Sequence, residues 1–281
     1  MKSSIQGFIG CESSWDEARA VIFGAPFDST TSFRPGARFG PAAMRSESFG
    51  IETYSPYQDK DLEELKIFDA GDIELPFGNS AAALAEIENA ADEILAAGKK
   101  PVLLGGEHLV TLGAVRAAAK NIPTCASSTS TLTRICARTT SAKALARSVI
   151  RRCWDILGDG RIFQFAIRSG SREEMYWSRE HTTMEKFRAD TIEKTVRAIA
   201  GAPVYVTLDL DAVDPSEFSG TGTPEAGGLR FTELLSALLA LRPLHVAAFD
   251  ICELSPHYDH SGASTALACK TLREMLLAYC W

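Results

Sequence analysis

The feature that most constrains this chain is a series of short, almost uninterrupted apolar runs, each followed by a helical pattern. AVIFGAP from Ala20, KIFDAG from Lys66, PVLLGG from Pro101, RIFQFAI from Arg161, PVYVTLDLD from Pro203 and HVAAFDI from His245 have the length and β-rich character of strands. Helical periodicity separates them. In SAAALAEIENAADEILAAG, Ser80 is expected to cap the first turn, Leu84, Ile87, Ala91 and Leu95 to share one face, and Gly98 to end the helix. ELLSALLALR and the closing STALACKTLREMLLAYC read the same way. A strand that is apolar on both sides has to be covered on both faces, so the pattern predicts an α/β fold with a parallel sheet, doubly wound or closed as a barrel. In either case ligands bind at the carboxyl ends of the strands, and polar residues there are the ones to examine.

Composition narrows the function. With 281 residues, 46% hydrophobic and 23% charged, and no linker-like stretch, the chain is expected to form one domain over residues 1–281. A net charge of -7 lacks the basic footprint that phosphate backbones require, so nucleic acid is not an expected partner. The opening MKSSIQGFIGCESSWDEARA has no apolar leader, and no eighteen apolar residues run together, which predicts a cytoplasmic protein with no membrane partner. Seven scattered cysteines without metal-knuckle spacing read as reduced thiols.

Three strand ends carry chemistry. PVLLGGEHLVTLGAVRAA places His108 just after a strand and a glycine pair, where a helix begins. VTLDLDAVDPSE sets Asp209 and Asp211 at the end of another strand; alternate strand residues share a face, so their carboxylates are expected side by side, a costly arrangement without a cation. VAAFDICELSP brings Asp250 and Glu253 to the end of a third, which predicts one acidic site where the three strands converge.

The GGEH, DLDAVDPSEFSGTGTPEAGGL and DICELSP segments, with GAPFDSTTSFRPGARFGPAAMR and IFQFAIRSGSREE, resemble the agmatinase branch of the ureohydrolases, together with arginases. The resemblance covers nearly the whole chain. It implies a three-layer α/β/α arginase-like fold with an eight-stranded parallel sheet, two Mn²⁺ ions per active site, and hydrolysis of a small guanidinium substrate to urea and an amine. It further implies that His108 binds one metal, that Asp209 bridges both, that Asp211 binds the second and that Glu253 holds the guanidinium. In that scheme a water activated between the ions attacks the guanidinium carbon. Assembly as a trimer or hexamer is also implied.

One stretch departs from the family. Its D-A-H-x-D metal motif should follow the GGEH helix, but Pro123 to Arg147 reads PTCASSTSTLTRICARTTSAKALAR, with no Asp, Glu, His, Phe or Gly. Without an apolar run there, residues 124–147 are expected to be irregular, leaving a gap or a strained substitute in the sheet. Either this is a true replacement or it is translated out of frame. Taking the third base of each codon with the first two of the next, from Cys125, degenerate codons permit R-L-I-H-F-D-A-H-A-D-L-R-A-D-Y-L-G-E without contradiction. The lost ligands then fall on codons straddling Ser130 and Thr131, Leu132 and Thr133, and Arg134 and Ile135. The remaining frame across Lys143 to Ser148 permits K-L-S-H-A, which supplies a further family histidine.

Overall fold

A computed structural model describes residues 6–122, 149–199 and 201–281, together with the backbone of 129–132. Its strands are β1 (Ala20–Ala25), β2 (Tyr54–Ser55), β3 (Lys60–Asp61), β4 (Ile67–Asp72), β5 (Lys100–Gly105), β6 (Thr129–Leu132), β7 (Ile162–Ile167), β8 (Thr183–Lys186), β9 (Pro203–Asp209) and β10 (His245–Cys252). The helices are α1 (Gly40–Glu47), α2 (Ser80–Ala96), α3 (Thr111–Asn121), α4 (Val149–Leu157), α5 (Arg172–His181), α6 (Ile192–Ile199), α7 (Phe231–Ala240) and α8 (Ala263–Tyr279). Eight strands form one sheet in the order β4-β1-β5-β10-β9-β6-β7-β8, with every pairing parallel. β2 and β3 make a separate antiparallel pair.

Alternation along the strands divides the core in two. In β1, Ala20 and Ile22 face one helical layer while Val21, Phe23 and Ala25 face the other; Val102 and Leu104 of β5 oppose Leu103 in the same way. α1, α6, α7 and α8 supply the first layer and α2, α3 and α4 the second. The result is the three-layer α/β/α arrangement with eight parallel strands.

Local departures from the expected elements have simple causes. The cap of α2 is Asn79, whose side chain accepts from the Ala82 N–H at 3.1 Å, one residue before the expected Ser80. The buried face of α2 uses Ile94, with Leu95 only partly covered, while Gly98 takes the left-handed φ of 71° that stops the helix. A four-residue strand, β6, occupies the position where a gap or a strained substitute was expected, paired with β9 on one side and β7 on the other. β9 and β7 each present backbone donors and acceptors that need partners, and threonine tolerates the pleated conformation well. The remaining residues of the expected irregular stretch, 124–128 and 133–147, lie outside the described residues.

Arg45 of α1 fastens its layer to the sheet. Its buried guanidinium meets the Asp69 carboxylate of β4 at 2.8 Å and also bonds Asp72. Asp69 accepts from the backbone N–H groups of Phe8 and Gly71 as well, each at 2.9 Å. The described cysteines, Cys11, Cys153, Cys252, Cys269 and Cys280, are all free thiols; Cys125 and Cys136 lie outside the described residues. No helix among the described residues is long and apolar enough to cross a membrane.

Candidate active site

β5, β10 and β9 are neighbours in the sheet, and their carboxyl ends meet at one edge. The chain leaving β5 is pinned against the exit of β1: the Gly106 N–H donates to the Ala25 carbonyl at 3.0 Å and the Glu107 N–H to the Phe27 carbonyl at 2.7 Å. A side chain at position 106 would run into the backbone of Phe27, so glycine alone allows this approach. The following turn, His108 to Val110, directs the His108 imidazole inward, where it is 6% exposed.

Asp209 ends β9, and its carboxylate oxygen Oδ2 lies 3.6 Å from His108 Nδ1. That separation is too long for a hydrogen bond. Asp211 does not continue the strand. It sits in a 3-10 turn, Leu210–Ala212, whose first N–H groups need a cap, and its own N–H donates to Asp209 Oδ1 at 2.8 Å. Asp209 and Asp211 therefore do not share a strand face, contrary to the expectation from strand alternation. Asp211 is instead held by hydroxyls of the following loop, from Thr223 at 2.6 Å and from Thr221 by a shorter bond. Arg168, just beyond β7, ties the same loop down by donating to the backbone carbonyls of Asp211 and Glu225.

Glu253 follows β10 in a left-handed conformation, φ 70°, which is strained for a residue with a side chain. Its N–H donates to the Gly106 carbonyl at 2.9 Å, and its Oε1 accepts from the His108 N–H at 2.6 Å. Burial, then the nearby charges of Asp209 and Asp211, raise the Glu253 carboxyl well above the usual range. Burial also raises Glu107 to about 7, against hydrogen bonds from Thr30 that lower it, and depresses the His108 imidazole to about 4. Such a concentration of buried acid favours a cationic ligand.

Asp250 belongs elsewhere than expected. Two residues before Cys252, it points between β9 and β10 beneath the site, fully buried, where Tyr205 and Thr207 each donate to it at 2.6 Å. Burial raises its carboxyl to about 6, with those bonds opposing. The structure thus brings His108, Asp209, Asp211 and Glu253 together and withdraws Asp250 by one layer. Thr207, Thr221, Thr223 and Arg168 carry the site without having been singled out from sequence; Thr207 alone carried a signal, lying two residues before Asp209 on the same strand face.

A family model of the arginase family matches residues 18–278. The chain belongs to the arginase family. It is similar to an agmatinase of Bacillus cereus, 42% identical over 278 residues that cover 97% of this chain and 96% of the relative. An agmatinase of Bacillus subtilis is 41% identical with the same coverage of both chains. Among solved structures, the agmatine ureohydrolase of Thermoplasma volcanium superposes with a TM-score of 0.86 at 30% identity, covering 98% of this chain and 94% of the other.

Proposed function

We propose that this protein is a ureohydrolase of the agmatinase type, hydrolysing agmatine to putrescine and urea at the joint edge of β5, β9 and β10. The observation that carries this is the convergence of buried His108, Asp209 and Asp211 with half-buried Glu253 in a chain about two-fifths identical to agmatinases. A guanidinium presents a planar fork of N–H donors that a fixed carboxylate matches, and Glu253 is the substrate-binding group. Its high proton affinity is offset when the cation arrives. The surrounding acids favour a substrate with an amine at its far end over one with a carboxylate.

The reading includes two Mn²⁺ ions, of which His108 would hold one, Asp211 the other and Asp209 both. His108 and Asp209 are donors of a kind that hard divalent ions accept. Among the described residues, however, no group of three or more His, Cys, Asp or Glu is placed to hold a metal. The described donors are too few, and no chemical step of the chain as written is assigned to an ion. The missing donors belong where residues 123–147 stand. Leu132, the last residue of β6, pairs with Leu208, one residue before Asp209. The alternative-frame D-A-H-A-D falls on the codons of Ser130 to Ile135. A single domain over 1–281 and assembly as trimers or hexamers belong to the same reading.

The incomplete donor set favours a second reading for the literal chain, a catalytically silent member of the fold. Sequencing the gene across codons 120–150 decides whether the frame is shifted. Urea release from agmatine by a chain carrying the restored segment with Mn²⁺ then tests the activity; two bound ions and no urea would reject agmatine as substrate.

A further inference from the structure

Beneath the candidate ligands lies a chain of buried polar groups that substrate binding does not use. We propose that Thr207 and Asp250 are positioning residues that fix His108 as the tautomer protonated on Nε2, leaving its Nδ1 lone pair directed at Asp209. The inference deepens the active-site reading and rests on His108 being a ligand in it.

Counting protons gives the direction of each bond. Tyr205 has a single hydroxyl proton, and it points to Asp250 Oδ2 at 2.6 Å. Thr207 also has one, and it points to Asp250 Oδ1 at 2.6 Å. The Cys252 thiol, 3.4 Å from Oδ1, adds a third donor to the same carboxylate. His108 Nε2 lies 2.9 Å from Thr207 Oγ1, whose proton is already committed, so the imidazole has to bring the hydrogen. In the reverse arrangement a threonine lone pair would face a carboxylate oxygen at 2.6 Å with no proton between them. Thr111 Oγ1, 3.3 Å from Thr207 Oγ1, occupies the remaining side of that hydroxyl.

A neutral imidazole carries one N–H, so donation from Nε2 leaves Nδ1 unprotonated. The 3.6 Å gap between Nδ1 and Asp209 Oδ2 agrees, since a donated hydrogen bond would draw them closer. His108, Thr207 and Asp250 are at most 6% exposed, so water does not compete for these bonds. The carboxylate therefore acts on His108 through one hydroxyl, holding ready the nitrogen a cation would need.

The test is ¹⁵N NMR of histidine-labelled, metal-free protein near neutral pH, with the His108 signals assigned by their loss in His108→Gln. The wild type and Thr207→Ser are expected to show the Nε2–H tautomer. In Asp250→Asn the amide oxygen must accept from Tyr205, which turns the amide NH₂ toward Thr207; the Thr207 proton then points to His108, and the tautomer switches to Nδ1–H. Thr207→Val removes the acceptor and is expected to give a mixture. Retention of Nε2–H in Asp250→Asn, or equal behaviour of Thr207→Ser and Thr207→Val, overturns the proposal. Because the spectra need neither metal nor turnover, that failure is distinct from a failure to release urea.

Discussion

The backbone N–H of His108 donates to the side chain of Glu253 at 2.6 Å, although the two residues are 145 positions apart in the chain. This bond joins the turn after β5 to the turn after β10. Glu253 pays for its left-handed backbone with two contacts, since its own N–H returns to the Gly106 carbonyl. The two turns therefore hold each other, and the carboxylate proposed to bind substrate is placed by the same backbone that places the histidine.

That coupling separates two substitutions. Glu253→Gln keeps an oxygen able to accept from His108, so the restored chain is expected to retain its Mn²⁺ while losing most urea release from agmatine. Asp209→Asn keeps an oxygen that can cap the Asp211 turn but removes the anionic charge facing His108, so metal content and activity of the restored chain should fall together. Metal analysis beside a urea assay distinguishes them. An active Asp209→Asn enzyme would contradict its assigned role.

The chain as written should bind manganese weakly and turn over no agmatine, because His108, Asp209 and Asp211 are too few for two ions and Asp211 is already held by Thr221 and Thr223. Metal analysis of a preparation whose intact mass matches the literal sequence checks this. Two Mn²⁺ per chain in that preparation would refute it.

What was legible in the sequence follows from what each signal depends on. Apolar runs such as PVLLGG and PVYVTLDLD report burial on both faces, which is a local property, and they locate β5 and β9 directly. β8, with its polar TMEK, and β6 carry no such signal, because pairing with a neighbouring strand forms them. His108, Asp209, Asp211 and Glu253 were readable from motifs, but Asp250 was misplaced because a strand-end carboxylate can face the site or the layer beneath it. That choice was made by Tyr205 and Thr207 on β9, partners no local pattern reveals.

The Arg45 and Asp69 pair predicts a large stability effect. Both side chains are buried, and Asp69 collects two backbone N–H groups besides the guanidinium. Arg45→Met leaves Asp69 charged without its cation, and removing one partner of a buried pair costs about 3–5 kcal/mol. Urea denaturation of the variant should show a loss of that order. A loss below about 1 kcal/mol would mean the backbone donors alone satisfy Asp69.

Asp214 predicts how acid acts on the loop that carries the threonine clamp. Its carboxylate accepts from the Ser216 hydroxyl at 2.6 Å and the Ser216 N–H at 3.0 Å, and from the N–H groups of Gly227 and Gly228 at 2.7 and 3.0 Å. The Ser216 hydroxyl, then these backbone donors, hold the carboxyl well below its ordinary range. A group whose pKa is depressed by folding stabilises the native state above its unfolded value, about 3.9 for aspartate, and loses that contribution as pH falls through the folded value. Asp214→Asn cannot ionise and accepts these bonds less well. Its urea midpoint should therefore lie below that of the wild type near pH 7, and the gap should narrow once pH drops below about 4. Since Asp214 closes the two ends of the 214–228 loop, the variant should also loosen Thr221 and Thr223, seen as faster amide exchange there at neutral pH. A gap that stays constant from pH 7 to pH 2 would show that the carboxylate's charge contributes nothing to the fold.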